Sequence, residues 1–141
     1  VPDPGPAGHG DRVAVLADDL IWGERLASAV RASGAEPVRL RSSADLAECL
    51  DAAAGSPGEE SSLAGLVVDL TARAYDAVAA IGAASDVRIP VLAVGQHDDL
   101  ELRRRARAAG AGRVVAYRGM AEAGPALVAR WRSLAQRAAA R

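Results

Sequence analysis

Five short apolar runs, each followed by a polar turn and a stretch of helical periodicity, constrain the fold of this chain more than any other feature. The first, VAVLA (13–17), is apolar at every position, the pattern of a parallel strand buried on both faces. Asp18 and Asp19 follow it, and Asp19 suits a helix N-cap. Trp22, Leu26 and Val30 then recur every four residues on one helical face, and Gly34 ends that helix as its C′ residue. The second unit joins PVRL (37–40) to a helix capped by Ser43 and carrying Leu46, Cys49 and Leu50. LAGLVVDL (63–70) contains the third strand and leads to a helix over 73–84, with Val78 and Ile81 inward. IPVLAV (89–94) is the fourth strand; Asp98 or Asp99 caps the helix after it, which ends at Gly110. RVVAY (113–117) is the fifth strand. The last helix starts near Ala121 or Pro125 and runs to Ala139, with Leu127, Trp131 and Leu134 in one stripe.

Strands alternating with helices predict an α/β fold of three layers, with a parallel sheet covered on both faces. Right-handed crossovers and this length favour an open five-stranded sheet of order 2-1-3-4-5, since five units are too few for a closed barrel. Residues 1–10 (VPDPGPAGHG) form a tail with little reason to order, and His9 within it has no assigned role. Residues 11–141 make a single domain, with room for a C-terminal helix extension. GSPGEESS (55–62) is a polar loop, long for this class. An opening Val1 in place of Met is expected of a domain cut from a longer chain.

Composition excludes several functions. The formal net charge is -1, from 17 basic and 18 acidic residues, so no overall field draws the chain to nucleic acid or a membrane surface. Every basic residue is Arg, which removes any chemistry needing a lysine ammonium, a Walker A loop included. Cys49 stands alone, so neither a disulfide framework nor a multi-cysteine metal site can form. No run is long and apolar enough to span a bilayer and no secretory pattern is present; a cytoplasmic location is expected. The first strand is not followed by G-x-G-x-x-G, and its acids would repel the phosphate of a flavin. His97 lacks the flanking pattern of a cobalamin ligand and reads as a loop residue.

In a sheet of this order, ligands sit beyond the carboxyl ends of the strands at the switch point, here flanked by the first and third strands. Asp18, Asp19 and Asp69 would meet there. Three hard carboxylates suit Mg²⁺, although aspartates at strand ends also serve simply as helix caps. Thr71 reads as a local turn residue.

VAVLADD, GLVVDLT, IPVLAVG and ARAAGAGRVV, in this order and spacing, resemble the corresponding stretches of response-regulator receiver domains, which have a flavodoxin-like (βα)5 fold. The likeness covers roughly residues 11–134. It implies that Asp18 and Asp19 match the metal-binding acids and Asp69 the phosphoacceptor. The departures are as specific. Gly95 stands where the family has a switch Thr or Ser, and Tyr117 where it has Lys, with Arg118 next to it as a substitute cation of a different shape. The hydroxyl and the ammonium both stabilise phosphoryl charge, so their loss removes two parts of the ordinary switch.

The chain is therefore expected to be an atypical or pseudo-receiver: a regulatory domain, not an enzyme, acting by protein–protein contact without a bound cofactor. The alternative is a phosphorylatable receiver of a bacterial two-component system that uses Mg²⁺ and Asp69. Contact with a protein partner or a second copy is expected through the fourth and fifth helices, with Arg103, Arg104, Arg107 and Trp131 as candidate interface residues.

Overall fold

The computed structural model describes residues 11–55 and 63–140. The tail expected over 1–10 and residues 56–62 of the polar loop lie outside the described residues. Five strands alternate with five helices: β1 (Arg12–Leu16), α1 (Leu20–Ala32), β2 (Glu36–Leu40), α2 (Ser43–Gly55), β3 (Gly65–Asp69), α3 (Ala77–Asp86), β4 (Val91–Gly95), α4 (Leu100–Ala109), β5 (Arg113–Ala116) and α5 (Tyr117–Ala139). The strands form one parallel sheet in the order β2-β1-β3-β4-β5, as the alternation predicts. β1 lies between β2 and β3, so the chain winds first one way and then the other from it. Leu16 and Val68 are register partners, which brings the carboxyl ends of β1 and β3 side by side.

The two faces of the sheet form two cores, because successive side chains of a strand point to opposite sides. Ala14, Leu16, Leu66, Val68 and Ala93 pack with Leu46, Leu50, Ile81 and Ala106 beneath α2, α3 and α4. Val13, Val15, Val67, Leu92 and Val94 pack with Leu26, Val30, Val128 and Trp131 beneath α1 and α5. The partly polar β2 takes the sheet edge, where Pro37 costs no ladder bond.

Local chemistry sets most of the boundaries. The Asp19 and Asp99 side chains cap α1 and α4, accepting from the Trp22 and Leu102 amides at 2.8 and 3.1 Å. Gly34 and Gly110 leave their helices at positive φ, as C-terminal glycines do. Ser42, not Ser43, caps α2: its Oγ accepts from the Asp45 amide, while the Asp45 carboxylate accepts from the Arg41 amide. The cap thus lies one residue before the expected one, and Asp45 ties the chain just ahead of it.

Two expectations are corrected more substantially. α3 begins at Ala77 with Asp76 as its cap, four residues later than the periodicity suggested, because the amides of Arg73 and Ala74 are drawn to Asp18 instead. α5 begins at once after β5 and breaks from helical geometry at Ala123 (φ -142°, ψ 31°), just before Pro125 restarts it. The stripe on α5 is also rotated from the expected one. Gly124, Val128 and Trp131 face the core, whereas Leu134 is 48% exposed.

Candidate functional site

The site lies where β1 and β3 end. Asp69 is the one buried charged residue among the described residues, at 1% exposure. Its Oδ1 accepts from the Thr71 amide at 3.0 Å, a tight turn that fixes the carboxylate, and from the Tyr117 hydroxyl by a short hydrogen bond. Burial pushes the Asp69 pKa above the ordinary carboxylate value, with Asp18 and Asp19 adding to the rise; the hydrogen bonds from Tyr117 and Thr71 oppose it. Burial, reinforced by the Asp69 contact, raises the pKa of Tyr117 as well, so its hydroxyl stays a proton donor.

Tyr117 reaches Asp69 because α5 starts directly at the end of β5, which turns its ring back across the sheet edge. The Trp22 ring, one turn into α1, braces it at 4.5 Å and a tilt of 44°. The Arg25 guanidinium lies 5.2 Å from the Trp22 ring, within cation–π range.

Asp18 does something different. Its Oδ2 accepts from the Arg73 and Ala74 amides at 2.8 and 2.9 Å, which pins the β3–α3 loop over the site. The Ala74 bond leads the effects that lower its pKa. Asp19 uses its Oδ1 on the α1 cap. Among the described residues, no group of three or more His, Cys, Asp or Glu side chains is placed to hold a metal ion. The acids share one edge, and one oxygen of each, Asp18 Oδ2, Asp19 Oδ1 and Asp69 Oδ1, is engaged with protein donors. A shallow cavity of about 330 Å³ is lined by Asp18, Asp19, Thr71, Ala72 and Arg73, and Asp69 is absent from its wall.

Gly95 ends β4 beside Leu70. A Cβ built on Gly95 would meet Leu70 Cδ1 at 2.9 Å and Leu70 Cβ at 3.2 Å. The space of a switch hydroxyl is thus taken by the residue that follows the candidate phosphoacceptor. Arg118 points away and pairs with Glu122 at 3.1 Å, which corrects its expected reading as a substitute cation at the site.

The candidate interface residues divide. Arg104 and Arg107 are exposed on α4, with Arg104 paired to Glu101. Arg103 folds inward, and its guanidinium donates to the carbonyls of His97 and Val114 at 3.3 and 3.4 Å. Trp131 is 4% exposed and packs against Gly65, so it covers the core instead of offering itself as an interface side chain. His97 is exposed, and Cys49 is half-buried on α2 with a thiol pKa raised by burial.

Tyr75 is the residue that sequence reasoning missed. Its hydroxyl lies 2.6 Å from the Asp69 carbonyl and 3.0 Å from that of Leu16, tying together the ends of β3 and β1. An aromatic residue just before the Asp76 cap was the available signal, since N′ positions favour side chains that pack inward.

Comparison with solved structures gives the architecture its place. FixJ from B. japonicum aligns with a TM-score of 0.71 at 17% identity, over 93% of this chain and 62% of its own. NtrX from Brucella abortus, in complex with ADP, gives 0.73 at 15% identity, over 89% of this chain and 27% of its own. A response regulator receiver domain protein from Clostridium thermocellum gives 0.72 at 12% identity, over 89% and 96%. The fold is the receiver fold. The chain spans less than two thirds of the FixJ and NtrX chains. No family model matches the sequence, and no curated protein does. Within the receiver fold, Asp69 sits at the end of the central β3, with Tyr117 on its carboxylate and Leu70 against Gly95.

Proposed function

We propose that this chain is a pseudo-receiver, a signalling domain that acts by contact with another protein and carries out no phosphoryl chemistry of its own. One observation carries the reading: the Tyr117 hydroxyl is hydrogen-bonded to a buried Asp69, held there by Trp22. An incoming phosphoryl group would have to share the carboxylate with that phenol or displace it. It would also find no hydroxyl at Gly95 and no cation from Arg118. The partner surface is assigned to α4 and its approach, where Leu100 is 72% exposed and Arg104 and Arg107 face outward. The receiver fold supports a place in signal transduction, and a cytoplasmic setting goes with that assignment.

The retained acids at one edge favour a second reading, a receiver that is phosphorylated on Asp69 after Tyr117 swings out. Amide NMR during titration with Mg²⁺ and beryllofluoride separates the two. The pseudo-receiver gives no saturable shifts around Asp69 at millimolar Mg²⁺. Coupled, saturable binding that disappears in Asp69→Asn would overturn that reading and establish the second.

A further inference from the structure

At the opposite end of the sheet from Asp69, the last turns of α5 overhang the amino ends of β4 and β5. A cavity of about 760 Å³ lies between them, lined by Arg88, Pro90, Arg113, Trp131, Leu134 and Ala138 among others. Its size is that of a small-molecule pocket. Its walls are apolar, and the charged side chains on it are both cationic. The ion pairs among the described residues join Arg39 to Glu24, Arg104 to Glu101, Arg118 to Glu122 and Arg132 to Asp11, so neither Arg88 nor Arg113 has a carboxylate there.

Arg88 supplies a second, independent observation. It occupies the residue after the α3 C-cap at φ 63°, in the left-handed region that glycine fills most cheaply. The amides of Arg88 and Ile89 return to the Ser85 and Ala84 carbonyls, closing the usual helix-ending motif around it. The chain thus holds a bulky cation at the mouth of the pocket in a position where a glycine would be less strained. Such strain points to a use for the side chain.

We infer that this cavity binds a small amphipathic monocarboxylate, its apolar chain against Trp131, Leu134 and Ala138 and its carboxylate between Arg88 and Arg113. A guanidinium pair is suited to a carboxylate by its planar donor fork. The site is separate from the Asp69 edge, and the inference does not depend on the pseudo-receiver reading.

Octanoate is the probe, with octylammonium as the chain-matched cation and acetate as the chainless anion, each titrated into ¹⁵N-labelled protein. Octanoate is expected to give saturable shifts at the Gly112, Arg113 and Leu134 amides, and the two controls none. Arg88→Gly and Arg113→Ala should each weaken octanoate binding about tenfold, the loss of one charge-assisted contact. Arg88→Gly relieves the positive φ, so its Tm should hold or rise, which separates lost binding from lost folding. Absence of saturable octanoate shifts would overturn the inference, as would equal binding of octylammonium or undiminished binding in both variants. Shifts at the same amides with an acidic peptide but not with octanoate would overturn it in favour of a protein partner.

Discussion

Tyr117→Phe removes a single hydroxyl from a ring whose packing on Trp22 is otherwise preserved. That hydroxyl donates to the carboxylate of Asp69, which is 1% exposed and keeps only the Thr71 amide on the same oxygen. A hydrogen bond to a buried charged group contributes about 1.5–3 kcal/mol, so the variant should lose about 2 kcal/mol of stability near neutral pH. The pH dependence has a definite sign. Burial raises the folded-state pKa of Asp69, so the folded chain binds its proton more readily than the unfolded chain. Stability contributed by this group is therefore greatest in acid and falls as pH rises through the folded pKa. Loss of the phenol removes an effect that lowers that pKa, which carries the fall to higher pH. The penalty of Tyr117→Phe should accordingly be largest above the folded-state pKa of Asp69 and shrink toward acid, where the carboxyl is protonated in both proteins. Urea denaturation followed by circular dichroism from about pH 4 to about pH 8 measures it. In an Asp69→Asn background the same change should cost only about 1 kcal/mol, the value of a neutral hydrogen bond. A neutral-pH cost below about 0.5 kcal/mol, or strict additivity with Asp69→Asn, would refute the coupling of these two side chains.

Gly95→Thr drives a Cβ to 2.9 Å from Leu70 Cδ1 and should cost about 1–3 kcal/mol in chemical denaturation, with part of the loss recovered when Leu70→Ala is added. Asp18→Ala strips the acceptor from the Arg73 and Ala74 amides, so hydrogen exchange at both should accelerate while global stability falls by about 1 kcal/mol, a small cost at so solvated a site. Because the folded-state pKa of Asp18 is lowered, its contribution is present above the unfolded carboxylate range and lost as pH falls through the folded value.

The fold was legible because both of its determinants are local. Runs such as VAVLA and GLVV are apolar throughout, and at four or five residues between polar turns they fit a strand covered on both faces. Asp19, Asp99, Gly34 and Gly110 then mark helix ends by their own chemistry. The boundaries that went astray are those set by residues distant in sequence. α3 starts late because Asp18, 55 residues earlier than Arg73, takes two amides that a helix would have used. The core stripe of α5 keeps Trp131, seated on Gly65, but runs through Gly124 and Val128 in place of Leu127 and Leu134, with a break in helical geometry at Ala123 that the periodicity does not reveal.

The site was legible as a list of losses and not as an arrangement. Gly95, Tyr117 and the absence of lysine each read as a missing part. In the folded chain each is matched by its own neighbour. Without a side chain at position 95, Leu70 can turn inward against β4. With Tyr in place of an ammonium, an uncharged donor reaches Asp69 and Trp22 can pack on its ring. A phenol satisfies the carboxylate inside the protein without adding a charge. Placing Thr at position 95 and Lys at position 117 would therefore not be accommodated by side-chain exchange alone. Leu70 would still occupy the hydroxyl's space, and Trp22 would lose the ring it leans on. Two separate contacts therefore stand at the end of the sheet: Leu70 against Gly95 in one core, and Trp22 against Tyr117 in the other.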